Sequence, residues 1–264
     1  MSLRKVKLAV MAAVVLVAAA AFATPSPDGA IVMERVFNDC PGSTVTTNNL
    51  YPAEIAITDV GSNCYGWANL HVWRLADGGT EVLFPNNSNF RIAATMVIDG
   101  NGVAEAGLQL APWWSEADGR LNVKTTADGE IACFGGRLPF YSFTANHGIQ
   151  YVKGRAIRMC IEYLAKSLTS ANPATITYTV EYNGGSYSSG PLPFDEGNPA
   201  EDPPYGLWGC LNDAKVGGHF QPLWALGGDP GATVSVVFSD ICFTNLDAIP
   251  TEGATWGEIK NMYR

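Results

Sequence analysis

Apolar residues recur at every second position along one segment after another of this chain. Phe90, Ile92, Ala94, Met96 and Ile98 share one side of an extended run, and Ile157, Met159, Ile161 and Tyr163 share one side of another. Ile176, Tyr178, Val180 and Tyr182 repeat the pattern. Successive side chains of a strand point to opposite faces, so a period of two places these residues on a buried face and their neighbours outside. A helix would scatter them around its circumference. Seven runs read as strands in this way: 30–37, 54–60, 70–75, 90–99, 156–163, 174–182 and 233–243. Turn-forming clusters punctuate them, including Asp77-Gly78-Gly79, Asp99-Gly100-Asn101-Gly102 and Asn183-Gly184-Gly185. No repeat of 20–50 residues is visible, which sets aside propellers and solenoids. The pattern predicts an all-β fold: one two-sheet antiparallel β-sandwich of jelly-roll type over residues 30–243.

The two ends depart from this rhythm. Arg4, Lys5 and Lys7 precede an apolar run at 8–22, and Ala21-Phe22-Ala23 fits the small-x-small rule for signal cleavage. The run is too short to span a bilayer of ~30 Å as a helix. Residues 1–23 are therefore read as a signal peptide, 24–29 as a short extension and the protein as secreted, either extracellular or at the cell surface. Cleavage would remove three of the 16 basic residues, leaving 13 against 25 acidic ones, a net charge of about −12. A chain so acidic, with no Lys/Arg cluster, is a poor ligand for nucleic acid or an anionic membrane. At the other end, 244–254 reads as a linker. Thr255 and Glu258 then form a capping box ahead of Trp256, Ile259, Met262 and Tyr263, which predicts a short amphipathic helix at 255–264. About ten residues are too few for a stable isolated helix. This tail resembles those ending some secreted bacterial proteins and would suit a sorting or surface partner.

Six cysteines in an exported chain read as disulfides: Cys40, Cys64, Cys133, Cys160, Cys210 and Cys242. Hairpin geometry favours pairing Cys40 with Cys64 across the polar segment around Pro52, and Cys133 with Cys160 across "TANHG" at 144–148. Pairing Cys210 with Cys242 would centre on Leu226. Zinc is not indicated, because the chain has no C-x-x-C and its three histidines are far apart.

The size, strand rhythm and a closing "GGHFQPLW … VSVVFSDICF" resemble the concanavalin A-like, laminin-G-like superfamily of lectins and glucanases. That resemblance implies a carbohydrate-binding or carbohydrate-cleaving sandwich. The E-x-D-x-x-E signature of its glucanases is absent, and so is a G-x-S-x-G elbow.

Candidate site residues follow from alternation. In "EAGLQLAPWW", Ala106, Leu108 and Leu110 fall toward the core. Glu105, Gln109 and Trp113 fall on the other face. A flat ring beside a carboxylate and an amide offers what a sugar needs, an apolar surface for its C–H face and polar partners for its hydroxyls. Trp113 is either that platform or a ring packed under a loop. His219 and Gln221 alternate in "GGHFQPL", and Arg137 follows a Gly-Gly pair; all three could join the same face. Glu130, Arg158 and Glu162 are further polar strand residues. Jelly-roll polysaccharide lyases use Arg, Gln, His and Tyr, a set that Arg137, Gln221, His219 and Tyr151 could supply. The acidic loop at 194–206 offers Asp195, Glu196, Asn198, Glu201 and Asp202. These are hard oxygen ligands of the kind calcium takes, although their spacing matches no EF-hand. No other cofactor is indicated. The sequence thus points to a non-catalytic binder of polysaccharide or another extracellular ligand. A lyase or glycoside hydrolase is one alternative, and a structural surface component attached through its tail is another.

Overall fold

The computed structural model describes residues 24–62, 66–110, 119–135, 138–194, 208–210, 212–226 and 231–247. Among the described residues fifteen strands run β1 (Gly29–Asn38), β2 (Thr44–Leu50), β3 (Glu54–Val60), β4 (Asn69–Asp77), β5 (Thr80–Glu81), β6 (Phe90–Gly100), β7 (Ala104–Leu110) and β8 (Gly119–Lys124). They continue as β9 (Ile131–Gly135), β10 (Tyr141–Ser142), β11 (Ile157–Leu164), β12 (Thr175–Tyr182), β13 (Gly185–Pro193), β14 (Val216–Pro222) and β15 (Thr233–Asn245). One sheet, here sheet A, has the order β1-β4-β14-β7-β8-β9-β10, with β5 beside β4. Sheet B has the order β13-β12-β11-β6-β15-β3-β2. The strand pairs are antiparallel. This is the two-sheet antiparallel sandwich expected from the sequence.

The period-two faces meet between the sheets. Phe90, Ile92, Ala94, Met96 and Ile98 of β6 are buried against Ala106, Leu108 and Leu110 of β7, and Leu121 and Val123 of β8 join the same core. The turns work where glycine or asparagine can take a positive φ. Asn183 (φ 51°) and Gly184 (φ 79°) turn β12 into β13. The Asp99–Gly102 segment instead carries the chain from sheet B to sheet A, so it links two sheets rather than two hairpin strands. The predicted turn around Asn146 is one helical turn, α1 (Phe143–His147), with Ser142 as N-cap and Gly148 (φ 68°) as C-cap. No helix among the described residues is long and apolar enough to cross a membrane. The signal peptide and the C-terminal helix at 255–264 lie outside the described residues.

Two of the three expected disulfides are corrected. Cys133 on β9 lies in sheet A and points into the core, whereas Cys160 on β11 lies in sheet B and faces outward with Arg158 and Glu162. Both are free thiols, as is Cys242. The same crossing between sheets separates β14 from β15, so no hairpin joins Cys210 to Cys242. Cys40 is disulfide-bonded; its expected partner, Cys64, lies outside the described residues.

A polar network between the sheets braces the Cys40 loop. Asn69 on β4 accepts the Cys40 N–H through Oδ1 at 3.0 Å and donates through Nδ2 to Asp59 Oδ2 of β3 at 2.9 Å. His71 Nδ1 accepts the Arg35 N–H at 3.1 Å, so the ring proton sits on Nε2, which donates to Asp59 Oδ2 at 3.1 Å. Burial works against the Asp59 charge. The hydrogen bonds from His71, Asn69 and Ser43 outweigh it and hold the carboxyl below its ordinary value.

Candidate functional site

The outer face of sheet A gathers polar side chains from β7, β8 and β14. Gln221 lies opposite Glu105, His219 opposite Gly107, and Gly217 opposite Gln109. On the far side of β7, Glu105 pairs with Lys124, Gly107 with Asn122, and Gln109 with Arg120. The structure therefore brings together four residues singled out in the sequence: Glu105, Gln109, His219 and Gln221. Alternation placed each of them outward because its neighbours Ala106, Leu108 and Phe220 enter the core.

The face is tightly interlocked. His219 lies beside a residue with no side chain, so its ring crosses Gly107 and Nε2 donates to Asn122 Oδ1 at 2.8 Å. A Cβ on Gly107 would lie 1.9 Å from the Leu121 carbonyl oxygen, so nothing larger fits there. Burial pushes the His219 imidazole well below its ordinary range, and the Arg120 charge pushes the same way. Arg120 Nη1 donates to Gln221 Oε1 at 3.1 Å, and Lys124 Nζ donates to Glu130 Oε2 at 2.7 Å. Burial raises the Glu105 carboxyl, against the pull of Lys124, Arg120 and the Asn122 amide. Burial likewise lowers the Arg120 guanidinium, against the attraction of Glu105.

At one end this face opens into a cleft of about 580 Å³, edged by Trp67, Glu105, Lys124, Asp128, Gln221 and Leu226. Trp67 is 55% exposed, a large fraction for tryptophan in a folded chain. Its backbone is held on both sides. The Trp67 N–H donates to the Asp39 carboxylate at 3.0 Å, and its carbonyl accepts the Ala225 N–H at 3.2 Å. A Cβ on Gly66 would lie 2.3 Å from Asp39 Cβ, so the preceding glycine is what lets Asp39 approach. A smaller cavity of about 120 Å³ shares Trp67 and Gln221 with the cleft and is otherwise lined by Phe37 and Leu70.

Other expectations fare differently. Tyr151 does not join the site: it is buried between the sheets, and its hydroxyl accepts the Ile98 N–H at 2.8 Å. Arg158 and Glu162 face outward on sheet B, across the sandwich from His219. Glu130 reaches the site margin through Lys124. Trp113 and Arg137 lie outside the described residues, as do Asp195, Glu196, Asn198, Glu201 and Asp202. Among the described residues no group of three or more His, Cys, Asp or Glu could hold a metal ion. Sequence reasoning missed Arg120, Asn122 and Lys124, although "RLNVK" alternates as a strand should. It also missed Trp67, whose only signal is an aromatic residue between a glycine and a strand.

No family model matches the chain, and no curated protein matches it. Among solved structures the chain is similar to a sialidase at 9% identity, over 85% of this chain and 19% of that one, with a TM-score of 0.39. The chain thus spans about a fifth of that protein's length. It is also similar to arcelin-5, a lectin-like defence protein from Phaseolus vulgaris, at 16% identity over 84% of this chain and 96% of that one, with a TM-score of 0.36. A third is an alginate lyase, at 10% identity over 73% and 79% of the two chains, with a TM-score of 0.38. At these scores the likeness assigns no role to any residue.

Proposed function

We propose that this protein is a secreted carbohydrate-binding sandwich that holds a saccharide in the Trp67 cleft without cleaving it. The observation that carries this reading is Trp67 itself. It is more than half exposed, yet fixed by backbone hydrogen bonds to Asp39 and Ala225, and it edges a cleft with Glu105, Lys124, Asp128 and Gln221. An indole face in that position covers the C–H face of a pyranose, while the carboxylates, the ammonium and the amide serve its hydroxyls. A backbone already held in place has less freedom to lose on binding. The platform expected at Trp113 is assigned here to Trp67, with Glu105 and Gln221 retained as its polar partners.

The lyase reading loses support from the placement of its members. Tyr151 lies in the core, and His219 is fully buried with Nε2 committed to Asn122. A glycan-array screen of residues 24–264, with an ultraviolet assay for unsaturated products on uronate polymers, tests both halves of the proposal. Glycan binding without product formation is expected. Unsaturated products would overturn the non-catalytic reading, and an array with no signal would overturn the binding one. Secretion is tested separately by sequencing the exported protein, which should begin at Thr24; an intact Met1 would contradict it.

A further inference from the structure

The geometry points to a saccharide bearing an acyl substituent, with the sugar ring on Trp67 in the main cleft and the acyl group in the small cavity that shares Trp67 and Gln221 with it. This inference rests on the carbohydrate reading above and narrows it to a ligand class. The small cavity, at about 120 Å³, is well below the ~300 Å³ at which pockets begin to enclose a whole ligand, so it is sized for a substituent. Three of its four lining residues are apolar: Phe37, Leu70 and Trp67. The fourth, Gln221, also edges the main cleft, as does Trp67, so the two cavities share a wall.

Gln221 is oriented by its neighbour. Arg120 can only donate, so the Gln221 atom 3.1 Å from Nη1 is the oxygen, and Nε2 is the end left to donate to a ligand. An acyl group matches this wall on both counts. Its methyl meets Phe37, Leu70 and the indole, and its carbonyl accepts from Gln221 Nε2. A bare hydroxyl would face the same apolar wall with one donor and no methyl, so it would leave water and contact unreplaced.

N-acyl and O-acyl sugars present the same group, and two matched pairs separate them. Chitotetraose and cellotetraose share a backbone and differ in acetamido against hydroxyl. Acetylated xylo-oligosaccharides and their saponified products differ in the O-acetyl group. Calorimetric titration of residues 24–264 should show at least one acetylated member binding about tenfold or more tightly than its partner. Leu70→Phe, which fills the cavity, should reduce that preference to near unity. Because Leu70 is buried, Gln221→Glu provides a second variant. It still accepts from Arg120 but turns an oxygen toward the acyl carbonyl, and it too should abolish the preference. Equal affinities within both pairs for the unsubstituted protein would overturn this inference while leaving the carbohydrate reading intact. A preference that survives both substitutions would overturn the assigned cavity. No binding to any of the four would overturn this inference, and the array would still decide the carbohydrate reading.

Discussion

The two outer faces of the sandwich are built by the same alternation and end as different surfaces. On sheet A, Gln109, Asn122 and His219 are buried although they point away from the core, and Arg120 and Glu105 are half-buried beside them. On sheet B, the corresponding row of Arg91, Glu162 and Thr177 forms an open patch, with the Arg91 side chain 50% exposed and its ion pair to Glu162 open to water. Sheet A has glycines at 107 and 217 within β7 and β14, and each is hard against a neighbouring backbone. No glycine interrupts the sheet B row across β11, β6 and β12. Across β7, His219 reaches Asn122 at the Gly107 position and Arg120 reaches Gln221. An exposed tryptophan stands at the margin of that face, and none edges the sheet B patches. Outward-facing polarity alone therefore does not mark a site. Polar groups that are desolvated, mutually bonded and next to an exposed aromatic ring do.

The largest effect should come from adding a side chain at a close backbone approach on sheet A. Gly107→Ala puts a methyl against the Leu121 carbonyl, a backbone clash that relaxation cannot remove cheaply. The expected loss is about 3 kcal/mol or more, read as a fall in urea midpoint. Thr95→Ala on sheet B gives up one hydrogen bond from Arg158 and should cost no more than about 1.5 kcal/mol. Similar midpoints for the two would erase the contrast.

Removing a cation should come next. Arg120→Ala takes the donor from the Gln221 oxygen and removes one of the two cations that attract Glu105, for about 1–3 kcal/mol. Arg91→Ala breaks a surface pair and should cost ~0–1 kcal/mol. Comparable losses at Arg91 and Arg120 would show that desolvation on sheet A is weaker than its geometry implies.

Glu105 gives the pH dependence of the same face. Its folded carboxyl lies above the ordinary 4.5, so the folded state holds the proton more tightly than the unfolded chain. This contribution is complete below 4.5 and is lost as pH rises through the folded value. Glu105→Gln should remove that loss, so the stability gap between variant and wild type should widen in the variant's favour as pH rises above 4.5. A gap that does not change with pH would contradict the burial assigned to Glu105.

Thiol chemistry separates the core from sheet B with no cost in stability. Burial pushes Cys133 well above the ordinary thiol range and raises Cys160 to about 11, whereas Cys242 is exposed. Iodoacetamide on the native protein should label Cys242 first and leave Cys133 unmodified. Prompt labelling of Cys133 would mean that the sheet A core is open.

How legible this was depended on what each residue faces. Strands with one buried face declared themselves, and β3 matches its predicted bounds, with β6 and β12 within one residue. The strand β2, "TVTTNNL", is exposed along an edge and carries no apolar period to read. Sheet membership was not legible either. β6 and β7 are consecutive and joined by a turn-like Asp-Gly-Asn-Gly, yet they lie in different sheets because each buries its face against the other. The Cys133–Cys160 pairing failed for that reason. At the site, the outward direction of Glu105, Gln109, His219 and Gln221 was readable, because alternation is local. Their adjacency was not, because β7 pairs with a strand about a hundred residues away. Trp67 was invisible, since its position is set by Asp39 and Ala225 and not by any period of its own.

Trp67→Ala tests the central claim most directly, by urea unfolding and by titration with the tightest-binding glycan from the array. The ring is more than half exposed, and both backbone hydrogen bonds survive in alanine. Stability should therefore fall by no more than about 1 kcal/mol, while affinity falls tenfold or more as the stacking surface is lost. An unchanged affinity in a stable Trp67→Ala protein would contradict the account.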